Sequence, residues 1–173
     1  MNLRVKIKRL NKGVKLPEYA KSGDARFDLV AAEDTIINPG ETKVIPTGLA
    51  FEIPPGYEMQ VRPRSGMSRK TKLRVVLGTV DSGYRGEVGV IVDNASIIEY
   101  ASQPRFAAGI SVGDNDFNIT KATKYEVIKI KKGDRIAQGV IAPVETARFV
   151  EVGELSESER GTGGFGSTGV RNE

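Results

Sequence analysis

Apolar and polar side chains trade places every residue or two along much of this chain, and glycine and proline interrupt the alternation at short intervals. Alternation over about four to eight residues marks a half-buried strand, because successive strand side chains point to opposite faces. Short β-rich runs of this kind stand at residues 42–45, 57–61, 88–92 and 125–130. The punctuation falls at Pro39-Gly40, Thr47-Gly48, Pro55-Gly56, Ser82-Gly83 and Lys132-Gly133-Asp134, where turns are expected. Many short strands at this spacing predict an all-β sandwich, barrel or jelly roll. Residues 1–10 alternate too, with Arg4, Lys6 and Lys8 between Leu3, Val5 and Ile7, which reads as a strand with a solvated face. Helical character is confined to about residues 65–71 and allows a turn or two.

Three stretches break the pattern. Residues 95–124 have mixed polarity and read as a long excursion between strands, residues 154–160 as a charged linker, and residues 161–169 as a glycine-rich tail too short to fold alone. The expected organisation is one β domain over residues 1–153 with an insert at about 95–124, followed by a flexible arm over 154–173. The insert carries Ile97, Ile98, Tyr100, Phe106, Phe117 and Ile119. That is more apolar surface than a solvent loop needs, so it forms either a small satellite core or a partner surface.

Composition narrows the chemistry. With 173 residues, 39% of them hydrophobic, the chain is long enough for one packed core and too short for two ordinary domains. No apolar run approaches the roughly 20 residues of a membrane span, and the N-terminus lacks the apolar core of a signal peptide. A cytoplasmic protein without a membrane or nucleic-acid partner is expected. There are no cysteines and no histidines. Thiolate chemistry, every Ser-His-Asp arrangement and the usual transition-metal ligands are thereby excluded. Catalysis is left to carboxylates, Tyr, Lys, Arg, hydroxyls and backbone amides, and any metal should be a hard, oxygen-ligated ion such as Mg²⁺. A net charge of +4 suits a small polyanion.

The segment Gly78-Thr79-Val80-Asp81-Ser82-Gly83-Tyr84-Arg85-Gly86-Glu87 reads as a hairpin with an Asp-Ser-Gly turn. Asp81 either caps that turn, with Tyr84 packed on it, or supplies a carboxylate beside an aromatic ring and a backbone ladder able to read a base edge. Pro63-Arg64-Ser65-Gly66 opens the short helix, where Ser65 either caps it or joins free amides in receiving an anion. The tail lacks the Lys after Gly that a phosphate-binding P-loop requires. Its Phe165, set between glycines, suits stacking on a base, with Arg160 and the amides taking phosphate oxygens. Asp24-Ala25-Arg26-Phe27-Asp28-Leu29 and Gly133-Asp134-Arg135-Ile136-Ala137-Gln138 read individually as strand-edge and turn residues.

Taken in order, these five segments resemble the five motifs of the trimeric dUTPase family, across nearly the whole chain. The resemblance implies a jelly-roll-like β-fold (the β-clip fold) with at most one short helix, a homotrimer, and active sites at subunit interfaces. It implies hydrolysis of dUTP to dUMP and pyrophosphate, with Mg²⁺ as cofactor. By position, Asp81 activates the water that attacks the α-phosphorus, and Tyr84 packs on the deoxyribose and leaves no room for a 2′-hydroxyl. Backbone groups of Gly78 and Gly89 pair with the uracil edge. Arg64, Ser65, Gly66 and Gln138 hold phosphates, while Arg160, Phe165, Gly166, Ser167 and Thr168 close the lid. Asp28 holds a water on the Mg²⁺. Arg26-Phe27 stands where the family usually has Gly-Tyr. The segment 71–78 is shorter than in cellular enzymes, and an extra stretch of roughly 25–30 residues precedes the fourth motif. The last two features resemble dUTPases of phages and prophages of Gram-positive bacteria, which implies the cytosol of a bacterial host and a second role in binding a repressor-type protein through the insert. A dCTP deaminase shares the fold, but Asp81-Ser82-Gly83-Tyr84 matches the hydrolase pattern.

Overall fold

A computed structural model describes residues 3–96, 110–111 and 127–164. Within them the chain forms β1 (Lys6–Arg9), β2 (Phe27–Val30), β3 (Thr35–Ile37), β4 (Thr42–Glu52), β5 (Tyr57–Arg62), α1 (Ser65–Lys70), β6 (Leu73–Val75), β7 (Gly78–Val80), β8 (Glu87–Asn94), β9 (Ile110–Ser111), β10 (Ile128–Ile130) and β11 (Arg135–Pro143). One four-stranded sheet runs β1-β4-β8-β6, a second β2-β11-β5-β7, and a three-stranded sheet β3-β10-β9 completes the body. All pairings are antiparallel except β10 with β9. This is the all-β architecture with one short helix that the alternation predicts. No helix among the described residues is long and apolar enough to cross a membrane.

The core follows from the alternation. In β8, Val88, Val90, Val92 and Asn94 point inward while Glu87 and Ile91 face out. Leu29, Ile45, Met59, Ile128 and Ile136 are fully buried between the sheets. Burial of each such side chain contributes about 1.5–3 kcal/mol before chain entropy is counted.

Two departures from simple alternation position the functional residues. The expected turn at Thr47-Gly48 is instead a bulge inside β4: Pro46 faces Gly89 and Ala50 faces Glu87, so three residues span the place of one. Gly48 has φ +69 there, a conformation that favours glycine. In β11 the register slips between Arg135 and Ala137, and the neighbours Ile136 and Ala137 are both buried. The segment expected as a hairpin around Asp81 is a crossover instead. β7 pairs with β5, and β8 pairs with β4 and β6 in the other sheet.

Phe27 is buried, edge-on to Tyr19 at 5.8 Å and stacked on Phe51 at 6.3 Å. Its ring occupies the place where a side chain at Gly139 would begin, 2.5 Å from an ideal Cβ. Gly139→Ala should therefore overpack this site and cost about 1–3 kcal/mol, read as a lower urea midpoint at unchanged m-value.

Of the insert, Ala95 and Ser96 lead out of β8, and Ile110–Ser111 adds a strand parallel to β10, in register with Ile128 and Lys129. Ile97, Ile98, Tyr100, Phe106, Phe117 and Ile119, expected to form a satellite core or a partner surface, lie outside the described residues. At the C-terminal end, residues 143–162 are exposed throughout, Phe149 at 93% and Leu155 at 88%.

Candidate active site

The crossover from β7 to β8 builds a pocket. Its turn closes through Tyr84 N–H donating to the Asp81 carbonyl at 3.0 Å. Arg85 Nη1 ties the same turn by donating to the carbonyls of Ser82 (2.6 Å) and Tyr84 (2.9 Å). The Tyr84 hydroxyl donates to the Glu87 carbonyl at 2.9 Å, and its ring covers Gly86, where any Cβ would collide with it. Behind the turn, the β4 bulge is stitched to β8 by Thr47 Oγ1 donating to the Val88 carbonyl (2.6 Å) and Gly48 N–H donating to Glu87 Oε1 (2.7 Å). The result is a cavity of about 200 Å³ lined by Thr79, Val80, Asp81, Tyr84, Glu87, Val88 and Gly89. Sites that enclose a whole drug-sized ligand measure roughly 300–1,000 Å³, so this one has room for only part of such a ligand.

A second cluster forms at the far end of the other four-stranded sheet. There Asp28, Gln138 and Arg62 stand in one row across β2, β11 and β5. Arg64 Nε meets Asp28 Oδ1 at 3.0 Å, and Arg135 Nη1 meets Asp28 Oδ2 at 3.5 Å. Arg64 Nη1 also donates to the Arg135 carbonyl at 3.0 Å. Asp28 Oδ1 and Arg64 Nε are sealed from solvent without hydrogen-bond geometry between them, so their contact is ionic. Two guanidiniums against one carboxylate leave a net positive charge beside the amide of Gln138, a donor set that suits phosphate oxygens. Ser65 and Gly66 follow at the exposed start of α1. Ser65 does not cap that helix: the N-cap is Arg64, with no side-chain cap bond, which leaves first-turn amides open.

One chain does not bring the two clusters together. β7 runs antiparallel to β5, with Gly78 opposite Val61 and Val80 opposite Met59. Asp81 therefore lies level with the start of β5, and Arg64 beyond its end. At about 3.3 Å per residue the separation along the strand is roughly 20 Å. Gly89 lines the pocket, whereas Gly78 sits on the β5 ladder outside its lining. Arg160 folds onto its own turn, Nε donating to the Gly163 carbonyl at 2.9 Å. Phe165, Gly166, Ser167 and Thr168 lie outside the described residues. Among the described residues no group of three or more acidic side chains could hold a metal ion directly.

A family model described as dUTPase matches residues 12–113 and 112–169. The chain belongs to the dUTPase family. Among its relatives, the deoxyuridine 5′-triphosphate nucleotidohydrolase of Nautilia profundicola is 46% identical over 169 residues, covering 96% of this dUTPase and 99% of the relative. That of Gloeothece citriformis is 42% identical over 173 residues, covering 99% and 100%. In structure, this dUTPase is similar to that of Staphylococcus bacteriophage 80alpha bound to dUPNHPP, with TM-score 0.82, 35% identity, and coverage of 96% and 99%. That phage protein is described as controlling transfer of virulence genes by a G protein-like mechanism. The bacterial relatives match almost end to end, so a chain of this length is not peculiar to phages. The enzyme class and the all-β fold expected from the motifs both stand.

Sequence reasoning missed two residues that the structure puts in these clusters. Arg135 is one: strict alternation would place it on the face opposite Gln138, and the bulge at Ile136 turns both to the same face. Two adjacent apolar residues between Arg135 and Gln138 were the available signal. Glu87 stood inside the quoted motif, but its bond to Gly48 crosses 39 positions and has no local signature.

Proposed function

We propose that this dUTPase hydrolyses dUTP to dUMP and pyrophosphate in sites shared between subunits of a homotrimer. What carries the reading is the roughly 20 Å between Asp81 and Arg64 along β5, too far for one triphosphate to meet both in a single chain. A second copy supplies the missing half. The bare segment 143–162 supports the same assembly, because Phe149, Val150, Val152 and Leu155 find no cover on their own body. The arm, with Arg160 and Phe165 to Thr168, would then close a site in trans.

In this arrangement uracil and deoxyribose enter the 200 Å³ pocket and the phosphates reach the arginine cluster of a neighbour. The Asp81 carboxylate takes a proton from the water that attacks the α-phosphorus. Backbone groups at Gly89 read the uracil edge from the pocket wall, and the narrow crossover rejects a thymine methyl. Tyr84 lies against the sugar where a 2′-hydroxyl would project. Arg64, Gln138 and the amides of Ser65 and Gly66 neutralise charge that develops on the departing pyrophosphate. The residues present fit Mg²⁺ held mainly by the triphosphate, with Asp28 acting through water, since both its oxygens already face arginines. When bound, the ion supplies charge neutralisation on the phosphates.

A regulatory role, in which the insert docks on a repressor-type protein, is supported by the likeness to the 80alpha protein. The same likeness is what supports a phage-type affiliation.

A pyrophosphate-release assay across dUTP, dTTP, dCTP and UTP tests the assignment. dUTP should be strongly preferred; ammonia release from dCTP would point to a deaminase instead. In the same assay Tyr84→Ala should lower the preference for dUTP over UTP by roughly 10- to 100-fold, the discrimination that one hydroxyl provides. An unchanged ratio would remove Tyr84 from this role.

A further inference from the structure

We propose that Glu87 is a positioning residue for sugar discrimination, acting through the Tyr84 ring. The proposal rests on the reading that Tyr84 excludes the 2′-hydroxyl. Tyr84 is 47% exposed, so packing alone does not hold its ring. What holds it is local: the hydroxyl bonded to the Glu87 carbonyl, and the space left by Gly86 beneath the ring. The ring is therefore placed only as well as the Glu87 main chain is placed.

That main chain sits beside a break in the sheet. Between the pairs Pro46–Gly89 and Ala50–Glu87 the β4–β8 ladder is interrupted by the bulge. Two side chains bridge the gap, Thr47 to the Val88 carbonyl and the Glu87 carboxylate to the Gly48 N–H. Gly48 is itself immobilised, since it is buried and a Cβ there would strike Val14 at 2.7 Å. The Glu87 carboxylate thus anchors the first residue of β8 to a fixed point, and the carbonyl of the same residue passes that position to Tyr84.

The test measures kcat/KM for dUTP and UTP in parallel for Glu87→Ala, Glu87→Gln and Tyr84→Ala. Glu87→Ala should lower the dUTP-to-UTP ratio roughly tenfold, while Glu87→Gln, which keeps an acceptor for Gly48, should hold it within about twofold. If Glu87→Ala fails to fold, Glu87→Asp, one methylene too short to reach Gly48, takes its place with the same expected fall. Equal loss on both substrates at an unchanged ratio would mean a merely structural role and overturn the proposal. A fall in Glu87→Gln as large as in Glu87→Ala would assign the effect to charge and overturn it as well. An unchanged ratio in Tyr84→Ala would mark the failure of the underlying reading, whereas a fall there with none in Glu87→Ala would sink this inference alone.

Discussion

Asp81→Asn should still bind dUTP yet turn it over about 10²–10⁴ times more slowly, the usual worth of a general base. Asp81 is the carboxylate of the β7–β8 crossover, held at the pocket wall by a turn whose hydrogen bonds come from the backbone and from Arg85. The Asp81 contribution to that turn is its carbonyl, which the amide variant keeps, so the pocket should survive the change. What disappears is the ability to take a proton from water. Equilibrium titration with dUTP alongside single-turnover hydrolysis separates the two effects. A variant retaining more than about a tenth of the wild-type rate would show that another group activates the water.

Mixing two dead variants should restore activity. Arg64→Met removes the guanidinium beside Asp28 and, with it, the charge offered to phosphate. Asp81→Asn removes the base roughly 20 Å away on the same chain. If each site draws one half from each of two neighbours, a random one-to-one mixture rebuilds about a quarter of all sites intact. After exchange, verified by size and by tags on each variant, activity near that fraction is expected from subunits that are individually inactive. No recovery after proven exchange would mean that each chain completes its own site, and the interface reading would fall.

The strands were legible because they obey a single physical rule. Val88, Val90 and Val92 alternate with outward residues and end up facing inward, and the short helix opens at Ser65 where its composition allows. The rule fails where the backbone adds a residue. Thr47-Gly48 carries the composition of a turn and is a bulge, because β4 resumes its pairing with β8 beyond it. Ile136 and Ala137 hide a bulge that brings Arg135 to Asp28. Pairing partners are illegible for a related reason. Nothing around Asp81 announces that β7 belongs to β5 while β8 belongs to β4, since that choice is made by contacts distant in sequence. The family resemblance singles out Asp81, Tyr84, Arg64 and Gln138, and the structure puts the first two at one pocket and the last two in the cluster with Asp28. How they divide between two clusters becomes visible in three dimensions.

The bare stretch from Pro143 onward carries a genetic implication. On the shared-site proposal, a subunit that lends its tail to a neighbour would make its own defects common property. In a cell that expresses two alleles, or a resident and an incoming version close enough to co-assemble, mixed particles would hold some sites built from both. By the same counting, a well-folded copy that lacks one half of the site would spoil only the sites it contributes to, and two copies that lack different halves would complement each other.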